Sequence, residues 1–145
     1  MIASVRPAED PTVDILVRPD PLPEPLTRAI ATVARDFNLP HDWMNTEIAA
    51  QWLQGLPPTL PEDITWKMYA ALRVGLAGRQ TLITLKLFAA ADRGPTSVHY
   101  QDLVRLQPTM EELEEAAVWV RIQDASNDFP TFVDQVIEHV HRDRT

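Results

Sequence analysis

The sequence predicts an α+β fold, in which a small mixed β-sheet with flanking helices is followed by a C-terminal helical bundle. Short segments rich in β-branched and aromatic residues occur at 12–17, 64–69 and 72–76, which is typical of strands. Apolar residues recur at helical spacing over 24–37. From Gly78 onward all the patterns are helical, and this separation of strands from helices along the chain indicates the α+β class.

The chain of 145 residues fits a single domain that buries about 70% of its unfolded surface. Within that domain we expect residues 12–76 to form the sheet-containing part and residues 78–145 the helical part. Residues 1–11 contain two prolines and predict a loose lead-in without regular structure.

The first strand, at 12–17, has apolar residues at both alternations, which predicts that both of its faces are covered. Four prolines follow in the eight residues 18–25. Because proline lacks an N–H, this segment favours a stiff loop over a helix or a strand. The helix at 24–37 then begins with Pro25 in its first turn, where the missing N–H has no cost.

A short second helix is predicted from Asn45 or Thr46, either of which can cap it, to about Gln54. The two later strands are joined by a short Ala70-Ala71 link. Alanine is an unfavourable residue for the turn of such a hairpin.

Four helices are predicted in the helical part, at 79–93, 98–106, 109–124 and 131–141. The third opens with Thr109 and Glu112, which have the spacing of a capping box.

Composition excludes several classes of protein. The formal net charge of −8 argues against broad, nonspecific nucleic-acid binding, which depends on the neutralisation of phosphates. No apolar run approaches the roughly 20 residues of a membrane span, so we expect no membrane partner. The absence of cysteine excludes disulfides and thiolate metal sites, and it fits a cytoplasmic protein.

Asp14 is the first candidate for chemistry, because it places a carboxylate in the middle of an apolar strand. Such a group is costly to bury unless it is paired or binds a cation. One interpretation is a ligand of Mg²⁺, which takes hard oxygen ligands beside substrate phosphates. The other is an edge-strand aspartate that faces water.

Lys86 is the second candidate, because it is a single ammonium group within a strongly apolar helical segment. Arg79, Lys86 and Arg93 are seven residues apart each time, about two helical turns, and this spacing predicts one basic stripe. A basic stripe could hold nucleotide phosphates or RNA. The alternative is a solvated row of charges.

His99 and Asp102 are three residues apart in a predicted helix, so their side chains share a face. A metal pair or a general base is one interpretation. A local hydrogen bond, or a salt bridge from Asp102 to the basic stripe, is the other. Trp43 is expected to act as a staple where a loop leads into a helix.

Several segments, taken in order, resemble a known family. They are Thr12-Val13-Asp14-Ile15 with the following Leu-Val-Arg-Pro-Asp, Trp43-Met44-Asn45, Leu85-Lys86-Leu87 with Ala89, Asp92-Arg93, His99 and Asp102-Leu103. The series spans about Thr12 to Trp119 and resembles the minimal nucleotidyltransferases of the AbiEii-like, polymerase-β-like group. Bacteria and archaea often encode these proteins in toxin–antitoxin or phage-defence contexts. The resemblance implies a nucleotidyltransferase-like fold, an NTP ligand, and an antitoxin partner or self-association.

In that family a glycine turn before the strand binds the triphosphate, and two aspartates one residue apart on the strand bind Mg²⁺. Carried over by position, Asp14 is the first metal-binding aspartate and Lys86 is the lysine that helps to hold phosphate. The residues assigned to phosphate are Lys86, Arg93 and Arg79, and those assigned to supporting the site are Asp102, His99, Trp43 and Asn45.

This chain departs from the family at two points. Leu16 stands where the second aspartate is expected, and residues 1–11 contain no glycine. Two-metal phosphoryl transfer is mostly positioning plus electrostatic stabilisation of the phosphates, so losing one element typically costs about a thousandfold or more in rate. We therefore expect a truncated or degenerate nucleotidyltransferase with weak or no catalysis, which binds Mg²⁺ only if the site is functional.

Two other interpretations stay open. The chain could be a non-catalytic protein–protein interaction module, with an apolar helical surface that pairs with itself or with a partner. Alternatively, its start could be assigned too far downstream, so that the glycine segment is encoded before Met1 and is unread.

Overall fold

A computed structural model describes residues 2–5 and 13–144 of the chain. It confirms the α+β class, because the described residues form five α-helices and a mixed β-sheet. The chain divides into two compact units. The sheet unit comprises residues 1–51 and 64–77, and the helical unit comprises residues 52–63 and 78–145. Residues 52–63, which the sequence places with the strands, group with the helices.

In its described part, the sheet unit contains five strands, one α-helix and one short 3-10 helix. The strands are β1 (Ile2–Val5), β2 (Val13–Val17), β3 (Met44–Asn45), β4 (Ile64–Tyr69) and β5 (Leu72–Ala77). Their order across the sheet is β3-β2-β1-β5-β4. Two antiparallel pairs, β1–β2 and β4–β5, are joined by parallel pairing of β1 with β5. α1 (Glu24–Asp36) connects β2 to β3, which pair in parallel as such a crossover allows.

The predicted strand around Asp14 is confirmed as β2. Its consecutive residues Ile15 and Leu16 are 1% and 4% exposed. Neighbouring side chains of a strand point to opposite faces, so β2 is covered on both faces at this point, as the mixed apolar pattern predicts.

The prediction of a loose lead-in is wrong at Ile2–Val5, which form β1; the rest of that segment lies outside the described residues. β1 lies between β2 and β5 and pairs with both. Pairing with distant strands therefore gives this segment its conformation, and a local reading of four residues contains no sign of it.

The predicted second helix is also wrong. A 3-10 helix covers Ile48–Gln51 and ends there. Trp52, which the helical pattern assigned to that helix, is buried in the helical unit, with its ring centroid 6.4 Å from that of Phe88. The backbone N–H of Gln54 donates to the side-chain oxygen of Gln123 over 3.0 Å. Burial of a large aromatic side chain therefore ends the helix one turn early.

The helical unit is a bundle built on one central helix. It contains α2 (Arg79–Arg93), α3 (Val98–Leu106), α4 (Met110–Val120) and α5 (Phe129–Asp143), close to the predicted bounds. α2 packs against the other three helices. The predicted capping box is confirmed at the start of α4, where the Thr109 hydroxyl accepts from the N–H of Glu112 over 3.1 Å. No helix in the described part of the chain has the length and hydropathy of a membrane span.

The turn between β4 and β5 generates a prediction for stability. Ala70 has a φ of 51°, a left-handed conformation that costs an L-residue about 1–2 kcal/mol. We expect Ala70→Gly to raise the free energy of unfolding by up to about 1 kcal/mol, since glycine removes that strain but costs about 0.4–1 kcal/mol of chain entropy. Urea denaturation followed by tryptophan fluorescence measures the change.

Ala71→Gly is the matched control, because Ala71 is exposed and is not among the described residues with positive φ. It carries the entropy cost without the relief of strain, so it should destabilise. Equal destabilisation by both variants would contradict a strained turn.

Candidate functional site

Asp14 lies on β2 and is half-buried. In the sheet it pairs with Asn45 of β3, and the Asn45 side-chain amide donates to the Asp14 carboxylate over 3.3 Å. The other end of the Asn45 amide, Oδ1, accepts from the backbone N–H of Glu47 over 3.1 Å. Asn45 therefore connects the candidate carboxylate to the turn that follows β3, and the structure brings together two residues that the sequence assigned to one site.

Leu16 follows Asp14 by two residues, so both side chains project from the same face of β2. Leu16 is 4% exposed and belongs to the core. A carboxylate at this position would be buried among apolar groups, at a cost of several kcal/mol. Leu16, at the position where the resemblance implies a second aspartate, therefore serves packing in this chain.

Mg²⁺ does not fit the donors around Asp14. The described side chains there include one carboxylate, an amide that donates to it, and a buried leucine. Two-metal catalysis needs several hard oxygen ligands. Over residues 2–5 and 13–144, no group of three or more His, Asp or Glu side chains could hold a metal ion.

Arg18, which no sequence motif marks, holds the end of this strand in place. Its guanidinium donates to the carbonyl of Thr46 over 3.0 Å and to the carboxylate of Glu47 over 2.8 Å. A hydrogen bond to Asp20, at 3.1 Å, and the charge of Glu47 raise the pKa of Arg18. The residues following β2 and β3 are thus joined by charged hydrogen bonds, a contact between residues too far apart in sequence for local patterns to reveal.

Lys86 and Asp102 form a buried ion pair in the helical unit. The ammonium of Lys86 on α2 lies 2.6 Å from the carboxylate of Asp102 on α3, and the two side chains are 6% and 3% exposed. Arg105 lies 3.6 Å from the other oxygen of Asp102. The interpretation of Asp102 as a salt-bridge partner of Lys86 is confirmed.

The predicted basic stripe is wrong. Arg79 and Arg93 lie at the two ends of α2, where their side chains are 50% and 68% exposed. Lys86 lies at the centre of the same helix, which is covered by three others. A spacing of seven residues points the three side chains in a similar direction, but how deeply each is buried depends on its position along the helix. The three cations therefore do not form one surface that could hold phosphate.

Each arginine of the former stripe has a local acidic partner. Arg79 donates to both carboxylate oxygens of Glu112, over 2.7 and 3.1 Å. Arg93 donates to the adjacent Asp92 over 3.0 Å. The Arg79 guanidinium, followed by the backbone N–H of Thr109, lowers the pKa of Glu112 to about 2.

The remaining predicted residues are dispersed. His99 lies in the first turn of α3 and is half-buried. Trp43 precedes β3 rather than a helix, and its indole N–H donates to the carbonyl of Ile30 on α1 over 3.1 Å. Trp43 was expected to pack where a loop enters a helix. Instead it forms a hydrogen bond from the residue before β3 to α1.

Tyr100 and Asp143 form a second polar contact in the helical unit, which was not found in the sequence. The Tyr100 hydroxyl donates to the Asp143 carboxylate over 2.6 Å. Burial, together with this hydrogen bond, raises the pKa of Tyr100 to about 12. The contact links α3 to the end of α5.

The helical unit also has an apolar groove beside α4, with a volume of about 330 Å³. Val118 and Ile122 line it and are 69% and 54% exposed. Its other lining residues are Pro58, Thr59, Thr84, Glu115 and Trp119. The indole N–H of Trp119 is buried without a hydrogen-bond partner among the described residues.

Comparison with known proteins adds no relative: no family model, no curated protein and no solved structure matches this chain.

The Glu112 contact predicts a pH dependence. The lowered pKa means that its ionised form stabilises the fold above the ordinary pKa of about 4.5, and that this contribution is lost as pH falls towards about 2. We expect Glu112→Gln to lower the free energy of unfolding at pH 7 by about 0.5–1 kcal/mol, a value limited by solvent screening. The difference from the unchanged chain should vanish between about pH 4.5 and 2.

Glu111→Gln is the matched control, because Glu111 lies in the same first turn of α4 and shares its interaction with the helix dipole. Thermal unfolding across this pH range compares the variants. If the difference produced by Glu112→Gln persisted at pH 2, the ion pair with Arg79 would not be its cause.

Proposed function

We propose that this chain is a degenerate nucleotidyltransferase-like protein, related to the nucleotidyltransferases of toxin–antitoxin systems, with weak or no nucleotide transfer. The observation that carries the proposal is the buried Leu16 beside Asp14, at the position of the second metal-binding aspartate. The resemblance in sequence supports the relationship, and the side chains around Asp14 support the loss of chemistry.

Lys86 gives independent support for the loss of catalysis. A lysine that holds phosphate needs an ammonium group that the ligand can reach. Here the ammonium is buried and donates to Asp102 over 2.6 Å. Exchanging that carboxylate for a phosphate would deprive the buried Asp102 of its closest cation and leave it only Arg105, at 3.6 Å, which costs stability.

The second candidate function is a non-catalytic protein–protein interaction module. Large exposed apolar side chains in both units favour it, among them Met68, Tyr69 and Val118, which are 65%, 58% and 69% exposed. Its partner would be a protein, such as an antitoxin or a second copy of the chain. A cytoplasmic location belongs to both candidates and is supported by the absence of cysteine from the sequence.

Titration calorimetry with each of the four Mg²⁺–NTP complexes tests the first candidate. We expect no saturable heat at millimolar nucleotide, and no transfer of labelled nucleotide to the chain itself or to tRNA. The reason is that one carboxylate and no accessible phosphate-binding lysine leave little of the stabilisation that two-metal transfer requires.

Asp14→Asn, with Asp20→Asn as control, decides what any signal means. Asp20 lies in the same unit with its side chain 84% exposed, so its replacement changes the charge equally. It weakens one hydrogen bond of Arg18 but leaves those to Thr46 and Glu47 in place. Saturable binding or transfer that Asp14→Asn abolishes and Asp20→Asn preserves would contradict the proposal.

A further inference from the structure

Among the described residues, no strand lies along the outer edge of β4. β4 is the last strand in the order of the sheet and pairs with β5 along one side. Five of its six residues are exposed, and because neighbouring residues of a strand point to opposite faces, both faces of β4 are accessible to solvent. An unpaired edge is a template for an added strand, because its N–H and C=O groups are arranged for a ladder.

The outward-facing backbone groups are those of Ile64, Trp66 and Met68. A two-residue turn joins Tyr69 to Leu72, so these two residues form the hydrogen-bonded pair that closes the hairpin. Hydrogen-bonded pairs alternate along an antiparallel ladder, so the backbone groups of Lys67 and Thr65 also bond to β5. The N–H of Gly78 donates to the carbonyl of Asp63 over 2.7 Å, which is the next hydrogen-bonded pair expected from this alternation. The groups of the intervening residues point away from β5, and they have no hydrogen-bond partner in the described part of the chain.

Trp66 is held in place at the centre of this edge. Its ring lies over Gly75 of β5, where an added Cβ would come within 3.1 Å of a ring carbon. The guanidinium of Arg73, on β5, lies 4.0 Å from the centroid of the Trp66 ring. A side chain fixed in this way loses little freedom on binding, so the edge is preorganised for a partner.

The charge of the hairpin indicates which kind of partner fits. Residues 64–77 contain two cations, Lys67 and Arg73, and no acidic residue, although the chain has a net charge of −8. Lys67 is exposed, projects from the face of β4 opposite to Trp66, and has no ion-pair partner among the described residues. An added strand that places a carboxylate opposite Lys67 would form a favourable cross-strand pair.

We propose that the β4 edge binds an extended segment of a partner protein, with an acidic side chain opposite Lys67 and an apolar one beside Trp66. This is β-strand addition, in which main-chain hydrogen bonds give affinity and alternate side chains give specificity. It rests on the proposed role as an interaction module. A second copy fits less well, because β4 has no carboxylate to place opposite Lys67 and both copies carry a net charge of −8.

The test is a heteronuclear NMR titration of the full chain with a blocked octapeptide of alternating threonine and valine that has one central glutamate. We expect amide resonances of Ile64, Trp66 and Met68 to shift saturably. Replacing the glutamate by lysine should weaken binding about twofold to tenfold, through lost attraction and added repulsion. Higher salt should reduce this preference.

Variants of the chain separate backbone pairing from charge. Met68→Pro removes an outward N–H and should weaken binding about tenfold. Lys67→Met leaves the backbone intact and should weaken binding of the glutamate peptide about twofold to fivefold. Arg35→Met is its control, because it removes one exposed charge at the end of α1 in the same unit.

The proposal is overturned if β4 resonances do not shift at millimolar peptide, or if the glutamate and lysine peptides bind equally well. It is also overturned if Met68→Pro abolishes a dimer seen by sedimentation, since the edge would then pair with a second copy. These outcomes leave the loss of nucleotide transfer untouched, because the nucleotide titration alone decides that question.

Discussion

One buried ion pair, between Lys86 on α2 and Asp102 on α3, restricts how the helices of the helical unit can pack. Taking either charge out of water costs several kcal/mol, which their attraction repays only when the two groups meet. α3 can therefore pack against α2 in few registers besides the one that joins these two groups. Because α2 also packs against α4 and α5, this pair fixes the helix on which the whole bundle is built.

The same interaction gives Lys86 an internal partner in place of the phosphate that the resemblance to nucleotidyltransferases implies. The ammonium of Lys86 donates to a buried carboxylate, so it is not accessible to a ligand. Leu16 is part of the core beside Asp14, and Asp14 itself is held by Asn45. Positions that would bind phosphate and metal thus contribute packing and internal contacts. The surface best suited to binding lies instead at the β4 edge, where backbone groups and Trp66 are accessible.

Sequence patterns predicted the elements whose signals are local. The helices of the bundle, the Thr109 capping box and the β4–β5 hairpin follow from periodicity and capping. β1 was missed because it is defined by pairing with distant strands, and the second helix was overpredicted because Trp52 is buried elsewhere.

The ion pair of Lys86 with Asp102 was one of two open interpretations. The basic stripe failed because helical spacing gives the direction of a side chain but not its depth. Arg18, Tyr100 and Asp143 make contacts that no local pattern contains.

A double-mutant cycle on the buried pair tests the central claim, that Lys86 holds the bundle together rather than binding phosphate. Asp102→Leu should lower the free energy of unfolding by about 3–5 kcal/mol, because it leaves the ammonium of Lys86 buried and unpaired. Lys86→Met should cost less, because Arg105 stays 3.6 Å from the Asp102 carboxylate. The double variant should recover most of that loss, since both charges are then gone. The claim is contradicted if the single variants cost less than about 1 kcal/mol and add in the double variant, or if Lys86→Met abolishes Mg²⁺–NTP binding while stability is unchanged.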